Sequence, residues 1–381
     1  MKRDSAVILG GGFAGMLSAA MLSRHFKQVI IEEKFSHVSA GIAQAPHLHV
    51  LLKEGQNILE HYFLGILDEM RRLGCKEVDW AADTVWHSPF GMYPRFHSGI
   101  VTVNCSRLLL DKLMYQWLQA IPNIKFKYGM NDESSSADFF VDARGRNAEI
   151  ATLKNAQTTI VTNNLSYATQ FYQLPDNHSA PFKQIYVPVY IGINDRGCVI
   201  SPIEENKVVV TLIGRGNARP SKNQESFLQH LAQLNNPEII EYLIGATPVS
   251  DIKLFTDLNN KHRHLSKIKP WPRNVVVLGD AACKINPIYG QGMMLAAKQV
   301  ALLDRHFVNN ANVNTRLIQK KIDKVIAFSW LMATTEDKRA YQNKKLKLRI
   351  LHFCLDKLYQ ICVRSEKIHL KFLRKLHGIS I

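Results

Sequence analysis

Short unbroken apolar runs, rather than alternating ones, mark the first strands of this chain. Ala6 to Leu9, Val29 to Ile31 and Val275 to Leu278 are flanked by polar residues or glycine. Runs of that kind belong to parallel strands buried on both faces. Met16 to Arg24, Leu108 to Ala120 and Met293 to Leu303 read as helices between or after them. The middle of the chain changes character. Gln184 to Asn194, Gly197 to Pro202 and Lys207 to Gly214 are rich in β-branched residues and punctuated by Gly, Asn and Asp, which predicts antiparallel strands. Ser226 to Leu234 and Pro237 to Ile244 read as helices covering that sheet. Beyond 313 the pattern is helical, with Ile350, Leu351, Cys354, Leu355, Leu358, Ile361 and Cys362 forming a stripe that reads first as packing. The expected organisation is therefore an α/β unit from 1–84, 102–165 and 271–312, an inserted β-sheet unit from 85–101 and 166–270, and a C-terminal helical segment from 313–381.

The turn after the first strand carries chemistry. Gly10-Gly11-Gly12-Phe13-Ala14-Gly15 is G-x-G-x-x-G between a strand and a helix. The first glycine permits the tight turn, the second lets backbone approach a pyrophosphate, and the third lets helix and strand pack closely. The helix N-terminus then offers unpaired N–H groups to the anion. The second strand ends in Glu32-Glu33, and an acid there accepts hydrogen bonds from ribose hydroxyls; Glu33 is in the usual register and Glu32 is the fallback. The predicted nucleotide contacts are Gly10, Gly12, Phe13, Ala14, Gly15 and Glu33. This fixes the fold class as α/β, built on a Rossmann (glutathione-reductase-like) domain.

A second motif, far downstream, distinguishes the dinucleotide. The run Val275 to Leu278 ends in Gly279-Asp280-Ala281, and Pro287-Ile288-Tyr289-Gly290-Gln291-Gly292 leads into the next helix. A carboxylate at such a strand end can hold a ribityl hydroxyl, and a helix start can present N–H groups to the pyrimidine edge of a flavin. The pattern resembles the second fingerprint of the FAD-dependent monooxygenases of aromatic-hydroxylase type, Gly-Asp-Ala-x(5–6)-Pro-x-x-Gly-Gln-Gly. Within that family it is most similar to the polyether-pathway epoxidases, the group of the lasalocid epoxidase. Gln44, His47 and His49 resemble that group's Gln-x-x-His-x-His, Ser106-Arg107 its Ser-Arg, Val141 to Arg146 its Val-Asp-Ala-Thr-Gly-Arg, and Trp330 to Arg339 its Trp-x-x-Ala-Thr-Gly-Glu-Asp-x-Arg. The resemblance implies bound FAD, with Gln44, Arg107, Asp280, Pro287, Gly290, Gln291 and Gly292 added to the cofactor contacts. It also implies NAD(P)H as co-substrate, O2, and a small apolar organic substrate. Ala43, Arg144 and Thr335 depart from the group's Pro, Thr and Gly. Cys283 stands where most aromatic hydroxylases carry His, as the epoxidase group commonly has it. The family's Asp-Gly motif is not present in standard form.

No residue stands out as general acid, base or nucleophile. That fits oxygen transfer by the cofactor, since epoxidation of an alkene needs no protein base. His47 and His49 share one face of an extended segment, but no third ligand stands near them, so no metal is expected; a flavin-side and a structural role are equally open. Cys283 reads as packing before redox chemistry. A reductase of a polyprenyl-type lipid is the first alternative. A flavin-dependent halogenase ranks lower because Trp-x-Trp-x-Ile-Pro is absent. A non-catalytic flavoprotein is the alternative from outside enzymes.

Charge and cysteine usage refine the picture. The net charge is +16, and from Lys338 to Ile381 twelve Lys/Arg face two Asp/Glu, so ten of the sixteen lie in one segment. A solvated helical face is the first reading of that segment; peripheral contact with anionic lipid is the second, ahead of nucleic acid. Six scattered cysteines without Cys-x-x-Cys fit a reducing cytoplasm and argue against disulfides or zinc. No apolar stretch is long enough to span a bilayer.

Overall fold

The computed structural model describes residues 3–35, 47–129, 137–145, 156–256, 258–309 and 313–379. Gln44 therefore lies outside the described residues. Ten α-helices occur among them: α1 Phe13–Leu22, α2 Lys53–Tyr62, α3 Ile66–Arg72, α4 Arg107–Gln119, α5 Gln224–Gln233, α6 Pro237–Leu243, α7 Gly292–Asn309, α8 Thr315–Asp337, α9 Leu346–Arg364 and α10 Glu366–Leu376.

The three apolar runs fall in one parallel sheet, as buried parallel strands must. Its order is Val275–Val277, Phe139–Asp142, Arg3–Leu9, Phe26–Glu33, Ile124–Tyr128. Arg3–Leu9 pairs in parallel on both sides, with Leu9 opposite Glu32 and opposite Asp142. The strand ends that carry Gly10, Glu33 and Gly279 thus emerge along one edge of the sheet. Helices α1, α4 and α7 cover it over a core that includes Leu17, Met21, Phe26, Val141, Val276 and Leu303.

The predicted antiparallel strands form a second, larger sheet. Leu165–Gln173, Lys207–Arg215, Arg196–Pro202 and Gln184–Val187 lie side by side, and Thr84–Ser88 continues the sheet by pairing in parallel with Gln184–Val187. Helices α5 and α6 pack on one face through Phe227, Ile239 and Tyr242. The other face, carrying Leu165, Tyr167, Val199 and Ile213, is turned towards Leu48 and Ile288. A small three-stranded sheet joins the two units. In it Asn260–Arg263 pairs with Cys283–Lys284 of the second motif and with Thr158–Val161. Residues 260–263, expected with the inserted unit, therefore sit with the second glycine motif.

Several boundaries differ from the sequence reading. The strand from Gln184 stops at Val187 because Pro188 cannot donate to the ladder. Helix α7 runs six residues past the expected Leu303, to Asn309. Helices α2 and α3 were not read from the pattern at all. Helix α3 is only seven residues long, and α2 buries just four residues, too few for a clear period.

Candidate active site

The two glycine motifs meet at the sheet edge. An added Cβ on Gly15 would lie 1.8 Å from the carbonyl oxygen of Gly10, so only glycine lets α1 pack this close to the first strand. Gly279 has φ +61°, and a Cβ there would come 3.0 Å from the Cβ of Ala14. The turn of the second motif thus rests on the helix start of the first. Gly12 caps α1 with extended backbone, and no side chain caps the helix. The opening N–H groups of α1 lack intrahelical partners, as in any helix. At Gly292, where α7 begins, a Cβ would meet nothing within 4 Å.

Of the two candidate acids, Glu33 reaches the loop. Its Oε2 accepts from the Gly11 N–H at 2.6 Å, and Oε1 accepts from the Lys34 N–H at 2.7 Å. Glu32 is buried instead and lies 3.4 Å from the Lys127 ammonium. Arg107 opens α4, which is capped by the Ser106 side chain. Its buried guanidinium donates to Asp111 at 2.7 Å, stands 6.0 Å from the Phe13 ring and approaches the Met293 sulfur at 3.6 Å. One cation therefore lies between the two glycine-rich helix starts. Asp280 is exposed at its turn, and a Cβ on Gly145 would lie 3.8 Å from the Asp280 Cβ. Arg263, not singled out from sequence, donates to the Ala281 carbonyl at 2.5 Å and lies in the field of Asp142 and Asp280. Nothing in its local pattern marks it, because strand pairing alone brings it to this turn.

His47 is buried; its Nδ1 is 2.9 Å from the Thr169 hydroxyl and its ring packs edge-on against Tyr167 at 4.6 Å. Burial lowers its pKa to about 4, so the ring is neutral at pH 7. His49 lines a small recess with Gln56 and Arg107. Cys283 is buried in a strand opposite His262, and burial pushes its thiol well up, with Asp280 and Asp323 adding to the shift. A thiol held protonated in this way is a poor nucleophile.

A cavity of about 690 Å³ opens beside the second motif. Its floor is Pro287 to Gln291; one wall is the second sheet, with Tyr167, Tyr186, Thr211 and Ile213. Trp80, Trp86 and Tyr93 form another, and α8, α9 and α10 close it through Phe328, Met332, Leu355, Leu358 and Phe372. A lining that is mostly apolar and aromatic is the usual make-up of a site for a bulky apolar molecule.

The C-terminal helices also fasten the floor. The Gln291 amide accepts from the Ser329 hydroxyl at 3.0 Å and donates to the Leu376 carbonyl at 3.2 Å. Its side chain ties α8 and α10 to the start of α7. Asp337 is buried and accepts from the Asn163 and Asn286 amides and the Tyr289 hydroxyl at 3.0, 3.2 and 2.6 Å, and from Asn260. Burial raises its pKa despite these donors. His377 beyond α10 packs on Trp80 at 4.3 Å, and its Nδ1 accepts the Lys53 N–H at 3.1 Å.

Similarity to known proteins follows this geometry. The tryptophan halogenase family model matches residues 5–131, the part that holds the first glycine motif. Protein Rv3254 of Mycobacterium tuberculosis is 21% identical over 346 residues, covering 80% of this chain and 73% of that protein. The flavin-dependent brominase Bmp2 superposes with a TM-score of 0.69 at 16% identity, over 99% of this chain and 94% of its own. PqsL, described as a probable FAD-dependent monooxygenase from Pseudomonas aeruginosa, gives 0.64 at 16% identity, over 89% and 98%. The oxygenase of 2-methyl-3-hydroxypyridine-5-carboxylic acid gives 0.65 at 16%, over 91% and 94%. The fold is that of the FAD-dependent halogenases and monooxygenases. Both groups share the flavoprotein architecture expected from the two glycine motifs. No described helix is long and apolar enough to cross a membrane.

Proposed function

We propose that this chain is an FAD-dependent oxygenase that inserts one oxygen atom from O2 into a bulky apolar substrate, by epoxidation or hydroxylation. The observation that carries the reading is the aromatic cavity whose floor is the second flavin motif. The residues present fit FAD. Glu33 would accept from the adenosine ribose, the open start of α1 would hold the pyrophosphate with Arg107 beside it, and Asp280 would hold the ribityl chain. Gly290 and Gly292, at the start of α7, would present backbone to the pyrimidine edge. Bound FAD supplies the activation of O2. The chain's own part is to exclude water and aim the substrate. Ile288 on the floor packs among uncharged residues, Leu48, Leu165, Tyr167, Val199 and Ile213, which suits an alkene or arene that needs no protein base.

Halogenation is the second reading, favoured by the family model over residues 5–131 and by the brominase likeness. The absence of Trp-x-Trp-x-Ile-Pro weighs against it. Electrons would come from NAD(P)H directly or as reduced flavin from a separate reductase. Peripheral contact with anionic lipid through the basic C-terminal helices belongs to the same reading. One assay separates the chemistries: the FAD-loaded protein, given a panel of apolar alkenes and arenes in air, with both electron supplies and with or without bromide. Products heavier by one oxygen, unchanged by bromide, are expected. Brominated products that need bromide would move the assignment to halogenation, and hydrogenated products formed without air would move it to a lipid reductase.

A further inference from the structure

The cavity is mostly apolar, yet six acidic, basic or imidazole side chains line it, and their pairing is uneven. His87 lies 3.0 Å from the Asn236 amide and 3.7 Å from Glu238. Asp337 is surrounded by four donors. Glu336 accepts from Arg339 at 2.7 Å and from the Tyr359 hydroxyl at 3.1 Å. Arg339 also reaches Asp356 at 2.8 Å and stacks 4.7 Å from the Tyr190 ring. Those four groups are satisfied within the protein.

Lys371 and Lys375 are not. They stand one turn apart on the same face of α10, both exposed and both lining the cavity, with Phe372 between them in sequence. Among the described residues neither has a carboxylate within ion-pair distance. The Lys375 ammonium instead sits 4.4 Å from the ring of Phe328, itself partly exposed. Like charges at this spacing repel along a helix. An anion placed between them would relieve that repulsion and gain two charge-assisted contacts.

We propose that the ligand of this cavity is an amphiphile, with its apolar body inside and a carboxylate or phosphate at the rim, held by Lys371 and Lys375. This rests on the reading that the cavity takes the substrate. The rim then sets orientation: the anion stays at α10 while the apolar body lies towards Pro287 to Gln291.

The test uses the full-length FAD-loaded protein and a matched pair of probes, dodecanoate and dodecanol, kept below aggregation. Trp80 and Trp86 line the cavity and report binding by fluorescence. The acid is expected to bind about tenfold more tightly than the alcohol, and the difference should shrink in high salt. K371Q/K375Q should make the two equal, and K371E/K375E should invert the order, with the alcohol's affinity unchanged in both. Equal binding of acid and alcohol to the unmodified protein, or a preference that survives charge reversal, would overturn the rim assignment and leave the cavity reading standing. Failure of both probes to bind would remove the cavity reading as well. Phosphatidylglycerol vesicles that bind and are displaced by dodecanoate would identify the anion as a lipid headgroup; vesicles that do not bind would identify it as a free acid.

Discussion

At the residue scale, Gly12 and Gly15 separate binding from folding. Gly15 is required by the protein itself, because its Cβ would collide with the Gly10 carbonyl. Gly12 has φ −75° and ψ −175°, a conformation open to any residue. Gly12→Val is therefore expected to fold, keeping its melting cooperativity, while losing FAD, since a side chain would stand where the pyrophosphate lies. Absorbance at the flavin bands beside circular dichroism checks this; a folded, yellow Gly12→Val protein would refute the loop's role. These glycines were legible because backbone geometry restricts the residue type. Glu33 was legible for a related reason, since register along a parallel strand fixes which acid reaches the turn. Arg263 and the anchoring role of Gln291 were not, because their partners lie 18 and 85 residues away in sequence.

At the element scale, the C-terminal helices change meaning. The sequence shows a basic helical segment with an apolar stripe. The structure turns Leu355 and Leu358 of that stripe to the cavity and buries Cys362, while Ile350 and Ile361 remain exposed. Helix spacing revealed the stripe but not what it faces, since any apolar surface satisfies the same pattern. The fastening of α8 to the second motif hinges on Asp337. Asp337→Asn keeps the shape but points an N–H at donors, leaving at least one buried donor unpaired at about 1–3 kcal/mol. The expected result is a lower melting temperature and FAD affinity weaker by about tenfold, with Asp337→Glu restoring neither. Unchanged affinity, measured by flavin fluorescence on titration, would mean the loop holds its shape without the carboxylate.

At the scale of the whole molecule, four buried histidines link stability to pH. Burial lowers His47, His230 and His369 to about 4 and His377 to about 3, from the ordinary 6.5. For these groups the unfolded chain binds protons first. Their neutral forms are accommodated fully above pH 6.5, and stability falls as pH drops from about 6.5 towards 4. Asp337, whose pKa is raised, works in the opposite sense at the acid end, but it is one group against these four and against His264 and His352, which burial lowers as well. Melting curves should therefore shift to lower temperature between pH 7 and 5; a flat profile would contradict the burial of these rings. His369 and His377 pack on the Tyr93 and Trp80 walls of the cavity, so the same titration loosens those walls.

The two sheets were readable in outline because buried parallel runs and β-branched antiparallel runs differ in composition. The cavity between them was not, since it arises from surfaces far apart in the chain. Whether that cavity serves oxygen insertion is decided by isotope labelling of the product. A substrate converted by the FAD-loaded protein under heavy-isotope O2 is predicted to carry one labelled oxygen atom, with the second label in water. Product oxygen drawn from solvent, or conversion that proceeds equally well without O2, would contradict the account.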